Sequence, residues 1–285
     1  MKQKGLKYSA CLLAALILSA DIAPCAAAML PGPTERKVVK LQNGQWKGKK
    51  VAFLGDSITD KHHIGTKKNY WQYLEEMLGL NAFVYGINGH QWHQVYGQAE
   101  RLKKEMGDDV DAIFIFAGTN DYNADLPLGN WYDLRQDSVM VSGQKKVMRT
   151  KREMQTSTSN FRGRINKVMS YLKENFPNQQ IILLTPIHRA YAQFGPNNIQ
   201  PEESYPNNLG LYIDDYVEVV KEAAGVWAVP VIDLNSISGL YPMSDAHIRF
   251  FHNEKRDRLH PNAEGHYRMA LSMAYQMQFY PSDFK

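Results

Sequence analysis

Short apolar runs alternate with amphipathic stretches along most of the chain. KVAFLG (from Lys50), AFVYG (from Ala82), DAIFIFAG (from Asp111), QIILLTP (from Gln180) and VPVIDLN (from Val229) have almost unbroken apolar centres. Between and after them lie NYWQYLEEMLG (from Asn69), QVYGQAERLKKEM (from Gln94), SNFRGRINKVMSYLKENF (from Ser159), IDDYVEVVKEAAGVW (from Ile213) and NAEGHYRMALSMAYQMQ (from Asn262). These follow the helical period. In the first, Trp71, Leu74 and Leu78 share one face, Asn69 stands where a cap is needed, and Gly79 can end the helix. Apolar strands separated by helices predict a parallel sheet covered on both sides. Ligands of such sheets bind outside the carboxyl ends of the strands, so the residues just after each strand carry the interest. Two regions escape the pattern. Residues 29–48 are polar and proline-containing and read as a linker or an edge. From Tyr122 to Ser157 no period holds, and a loop that long inside a compact domain is functional or mobile.

The amino terminus adds a segment outside this alternation. Lys2, Lys4 and Lys7 precede the apolar ACLLAALILSA, which is short for a bilayer span, and CAAAM follows with small residues. This is the layout of a secretory signal peptide over residues 1–28, with cleavage after Ala28 and a secreted or periplasmic product. Cys25 opens a lipid-anchored alternative, against which Pro24 stands where such signals carry a small residue. Both cysteines, Cys11 and Cys25, lie here. The mature chain is therefore expected to lack disulfides, a thiolate nucleophile and cysteine metal ligands. Its removal takes away three lysines and one aspartate, so the formal charge falls from +4 to +2. That balance gives no reason to expect a nucleic acid partner. With 285 residues, 44% of them hydrophobic, the chain can bury a core of a single α/β domain.

The strand ends carry chemistry. The first run stops at Gly55-Asp56-Ser57. YGINGHQW, with Gly86 and Gly89, follows the second, and GTND (Gly118 to Asp121) closes the third. RDRLHPNAEG, with Asp257 and His260, precedes the last helix. A serine hydroxyl is a weak nucleophile and needs a base. Histidine serves near neutrality, and a carboxylate holds its tautomer. Asp257 and His260 are three apart, so a turn or first helical coil can deliver base and orienter together. Acyl transfer also needs donors for an oxyanion, and losing one costs roughly 3–4 kcal/mol in hydrolases. The Ser57 N–H, the Gly89 N–H and the Asn120 side-chain amide can supply them.

GDSIT, GINGH, GTND and DRLHP, in that order, resemble the blocks of the SGNH (GDSL-type) hydrolase superfamily. The resemblance runs from Lys49 to the C-terminus and places the four name-giving residues on Ser57, Gly89, Asn120 and His260, with Asp257 completing a triad. It implies a flavodoxin-like three-layer sandwich with a five-stranded parallel sheet, hydrolase domain 49–285, and ester hydrolysis without a metal or other cofactor. The second block departs from the family, because Val84-Tyr85 stand where an asparagine is often found. Gly86 thus rivals Gly89, which spacing favours. The family leaves the substrate open, and the stretch from Tyr122 to Ser157, which follows the Asn120 block, is expected to be the specificity loop. O-acetyl esters on carbohydrate are the expectation, with lipid esters, thioesters or a silent carbohydrate-binding protein as alternatives.

Other residues have plainer readings. Ser57 can cap a turn, and His260 can cap the final helix. Asp56 and Asp121 read as braces of their loops. His62, His63, His90 and His93 lack a carboxylate to complete a metal set. His188 follows the fourth strand and is expected near the pocket. Trp92, Trp131 and Tyr132 can stack on a sugar or pack the core. The α/β-hydrolase elbow requires glycine where Thr59 stands. No phosphate-cradling glycine motif follows a strand.

Overall fold

All five predicted strands form, and they join one sheet. The computed structural model describes residues 38–41 and 44–285. The expected signal segment 1–28 lies outside them. In chain order, β1 (Lys50–Gly55) leads to α1 (Tyr70–Leu78), β2 (Asn81–Val84), α2 (Trp92–Met106), β3 (Ala112–Phe116) and a short α3 (Thr119–Asn123). Then come β4 (Tyr132–Val141), β5 (Lys145–Met154), α4 (Phe161–Asn175), β6 (Gln180–Leu184), β7 (Ala192–Gly195) and β8 (Asn198–Gln200). The chain ends with α5 (Ile213–Trp227), β9 (Val231–Ile232), α6 (Leu234–Ile237), β10 (Phe251–Asn253), β11 (Asp257–Pro261) and α7 (Ala263–Met277).

The main sheet has the order β2-β1-β3-β6-β9, and every pairing in it is parallel. Side chains alternate across it, so each strand feeds two cores. Ala52, Leu54, Ile113, Ile115 and Leu183 pack against α2, α4 and α5 on one face. Val51, Phe53, Phe114, Phe116 and Leu184 pack against α1 and α7 on the other. Burial on both faces is why these strands read as apolar runs rather than as alternating ones. Trp46, inside the stretch read as linker or edge, joins the second core. It is fully buried, and its indole N–H donates to the Met277 carbonyl (2.7 Å).

The sheet starts at β1 and grows outward in both directions, to β2 on one side and to β3 on the other. Chain reversal leaves a crevice between the ends of β1 and β3, the place where open parallel sheets take ligands. Gly55 makes this end sharp. A Cβ there would lie 2.2 Å from the Phe116 carbonyl oxygen, so only glycine lets the two strand ends approach.

The loop expected from Tyr122 to Ser157 is largely a hairpin instead. β4 and β5 pair antiparallel over ten residues each, from Tyr132↔Met154 to Val141↔Lys145. Its residues are mostly exposed, so no buried face imposed an alternation that the sequence could display. Asp137 and Glu153 interleave with Arg135 and Lys151 across one face. Two short additions were also unforeseen: β7 and β8 form a small hairpin, and β10 and β11 pair beside it, giving the sheet order β10-β11-β7-β8. Among the described residues, no helix is long and apolar enough to cross a membrane.

Candidate active site

Ser57 sits in the turn after β1, almost wholly buried, with its Oγ 2.9 Å from His260 Nε2. The opposite ring nitrogen of His260 lies 2.9 Å and 3.2 Å from the two Asp257 oxygens. An ionised carboxylate only accepts, so Nδ1 carries the proton and Nε2 presents its lone pair to the serine hydroxyl. Segments 203 residues apart in sequence thus form one hydrogen-bonded relay. The resting geometry is that of a nucleophile, its base and an orienting carboxylate.

Asp257 and His260 do not stand on a turn or helical coil, as their spacing suggested. They lie on β11, where residues three apart would face opposite ways. The carboxylate folds back instead: Asp257 Oδ1 accepts the backbone N–H groups of Leu259 (3.2 Å) and His260 (3.0 Å). Burial pushes the Asp257 carboxyl up, but the His260 ring and backbone N–H, together with the His252 ring, outweigh it and hold the group below its ordinary value. His252 adds a further donor, its Nδ1 lying 3.0 Å from Asp257 Oδ2. Two imidazoles therefore share one carboxylate. Sequence reading missed His252 because β10, which carries it, is only three residues long.

One cavity of about 320 Å³ collects the relay and its neighbours. Ser57, Asp257 and His260 line it together with Gly89 and Asn120, the two other residues expected at an oxyanion site. Asn120, on α3, donates one amide hydrogen to the His90 carbonyl (3.0 Å), which fixes the plane of the amide and leaves the second hydrogen for a ligand. Packing distinguishes the two rival glycines. Gly86 is buried away from the cavity, its N–H donates to the Phe53 carbonyl (3.2 Å), and a Cβ would meet Thr59 at 2.6 Å. Gly89 lies on the cavity wall, with φ +78° and nothing within 4 Å of a Cβ position.

Buried polar groups hold these loops in register. Gln98 on α2 is another residue that sequence reading overlooked. Its Oε1 accepts from the Gly55 N–H (2.8 Å), and its Nε2 donates to the Gly55 carbonyl (2.8 Å) and to His90 Nδ1 (3.0 Å). It ties the serine turn to the Gly89 loop. A signal existed: Gln98 shares the apolar face of Val95, Ala99 and Leu102, where a polar residue has no other reason to be. Asp60 accepts from the N–H groups of His62 (2.8 Å) and Asn88 (2.7 Å), and these bonds, against the upward push of burial, hold its carboxyl low. Asn69 adds a brace by donating to the carbonyls of Ile58 and Asp60.

Asp56 and Asp121 act as braces. Asp56 accepts from the Ile58 N–H, and burial pushes its carboxyl up to about 7. Asp121 is raised to about 6 by burial, against the pull of Arg164 (2.8 Å) and the Trp92 N–H (3.1 Å). Trp92 is core, its indole donating to the Ala117 carbonyl. Trp131 donates to Glu222, and Tyr132 lies under the Arg152 guanidinium, so none of these three rings lines the cavity. Nor does His188, which bonds Glu203 instead (2.8 Å). The aromatic ring at the cavity is that of Phe194, on β7 and 5.3 Å from the His260 ring. Of the four histidines weighed as metal ligands, His62 bonds Asp60 and faces solvent, His63 packs near Trp71, and His90 bonds Gln98. His93 is exposed at the start of α2. Among the described residues, no group of three or more His, Cys, Asp or Glu is arranged to hold a metal ion.

A five-stranded parallel sheet with this constellation at its switch point defines an SGNH-type hydrolase. The chain belongs to the GDSL-like lipase/acylhydrolase family, whose profile matches residues 53–268, and it is a carboxylic ester hydrolase. Solved structures share the fold. A Lactobacillus plantarum protein is 24% identical, with 81% of this chain and 97% of that one covered and a TM-score of 0.62. A protein from Chitinophaga pinensis described as a possible lipase is 18% identical, with 80% and 97% covered and a TM-score of 0.59. The curated proteins contain no significant match.

Proposed function

We propose that this hydrolase removes small acyl groups, acetyl first among them, from the hydroxyls of a carbohydrate. Ser57 attacks the ester carbonyl while His260 Nε2 takes its proton, and Asp257 stabilises the resulting imidazolium. The Ser57 and Gly89 N–H groups and the Asn120 amide receive the oxyanion. His260 then gives its proton to the departing sugar oxygen. In the second half, His260 draws a proton from water, the hydroxide attacks the acyl-serine, and acetate leaves as Ser57 recovers its hydrogen.

The Ser57–His260–Asp257 relay, with both links at 2.9 Å, carries the mechanistic reading. The wall of the cavity supports the substrate reading. Asn88, Asn120, Asn198 and Gln200 line it beside Phe194. Side-chain amides pair with hydroxyls as donors and acceptors, and one ring can cover an apolar sugar face. An extended alkyl chain would leave those amides unpaired, at a cost of about 1–3 kcal/mol for each one buried.

Hydrolysis of p-nitrophenyl esters tests both halves. Ser57→Ala is expected to lower kcat by about 10⁴-fold or more. Acetate is expected to be the best acyl group, and partially O-acetylated glucose to release acetate. A clear preference for octanoate would replace the substrate reading with a lipid esterase. The same reading takes residues 1–28 as an export signal. Mass spectrometry of the protein exported from a bacterial host should find its first residue near Met29, and an intact Met1 would remove that part.

A further inference from the structure

The catalytic cavity does not end at its polar wall. Asn198 and Gln200, both on β8, also line a second cavity of about 300 Å³. Asn197, in the turn before β8, lines it too, and its other side is built from the end of α3 and the turn after it, with Asn123 and Asp125, and from residues 206–208, with Asn208. Ile199 and Tyr122 contribute apolar surface there. Resting on the carbohydrate reading above, we infer that this second cavity is a subsite for a further, uncharged sugar unit, so that the substrate is an acylated neutral oligosaccharide rather than a free sugar.

The shared wall is built rather than incidental. Arg189, 1% exposed, reaches up beneath it and donates to the Gln200 Oε1 (2.8 Å), the Asn123 Oδ1 (2.7 Å) and the Thr119 hydroxyl (3.0 Å). Asn123 donates to the same Gln200 oxygen (2.8 Å). That oxygen is saturated, and the Gln200 amide N–H groups are turned to the remaining side, one of them 3.3 Å from the Asn198 Oδ1. Thr119 adjoins Asn120 in sequence, so the guanidinium couples the oxyanion side of the site to β8. Amides already held in place bind hydroxyls with little further ordering, the condition under which polar contacts add affinity.

Charge selects among glycans. Among the described residues that line the second cavity, Asp125 is the only one with an ionisable acid or base capable of charge near neutrality, and no lysine or arginine joins it. Uronate, sulfate or phosphate groups would meet that carboxylate with no cation on the lining, since the Arg189 guanidinium stays behind the wall with both terminal nitrogens engaged by Gln200, Asn123 and Thr119. Neutral hexose or pentose units would not.

Partially O-acetylated cellotetraose and partially O-acetylated glucose, compared by acetate release, form the test. The wild-type kcat/KM is expected to be at least tenfold higher for the tetraose, chiefly through KM. The double variant Asn197→Ala/Asn208→Ala and the filling variant Ile199→Trp should each collapse that ratio towards one. Taking the ratio within each variant removes any general damage to folding. Equal wild-type values for the two sugars would overturn the subsite and leave the carbohydrate reading standing. A ratio that survives undiminished in both variants would place length recognition elsewhere and overturn the assignment. Activity on p-nitrophenyl acetate but on neither sugar would remove the carbohydrate reading and the subsite with it.

Discussion

At the level of single residues, the two glycines of the second block separate stability from chemistry. Gly86→Ala drives a methyl group against Thr59 in a packed interior and is expected to cost about 1–3 kcal/mol, read as a lowered denaturation midpoint. Gly89→Ala meets no neighbour, so its cost is confined to a strained φ. The role proposed for Asn120 bears on the reaction instead. Asn120→Ala should lower kcat by about 10²–10³-fold with a circular dichroism spectrum like that of wild type, because it deletes one hydrogen bond made to the oxyanion. Unchanged kcat would remove Asn120 from the oxyanion site. The site residues named from sequence were legible because they stand in short recognisable blocks, Ser57, Gly89 and Asn120 after strand ends and Asp257 and His260 before the last helix, and all five line one cavity. His252 and Gln98 carry no such motif. One contributes through a short pairing and the other through burial, and both depend on what lies across from them.

At the level of elements, the prediction concerns the β4–β5 hairpin. None of its residues lines the catalytic cavity, although the stretch follows Asn120 and had the look of a specificity loop. A lone two-stranded hairpin gains little from its own pairing, and its exposed ion pairs add little more. Tyr132 and Met154 are cross-strand partners, so a two-residue Asn-Gly turn can join them in place of residues 133–153. The shortened protein should keep its p-nitrophenyl acetate kcat/KM within about twofold and a similar Tm. A loss of tenfold or more would show that the hairpin acts on the site. The wall such a loop was expected to supply comes from β7 and β8, with β10 beside them. Strands of three or four residues leave no usable period, which is why that part of the site was illegible beforehand.

For the molecule as a whole, the sheet order concentrates buried carboxyls at one end, and stability should depend on pH for that reason. Burial raises Asp56 to about 7 in the folded state, so between its unfolded value of 3.8 and 7 the folded chain binds the extra proton. Stability from this group is then complete below pH 3.8 and falls as pH rises through 7. Asp56→Asn keeps the shape and cannot ionise. Its Tm relative to wild type should rise between pH 5 and pH 8 in scanning calorimetry, and a difference that stays flat would contradict the assignment. The sequence by itself determined the five strands, the covering helices and the order of the catalytic blocks. Each of these is written in local periodicity or in residues adjacent along the chain. Tertiary structure alone decided which strand ends meet, that Asp257 serves two histidines, and that short antiparallel strands form the polar wall. Those facts arise from contacts between segments up to 203 residues apart, whose energies depend on burial and hydrogen-bond geometry that no local pattern records.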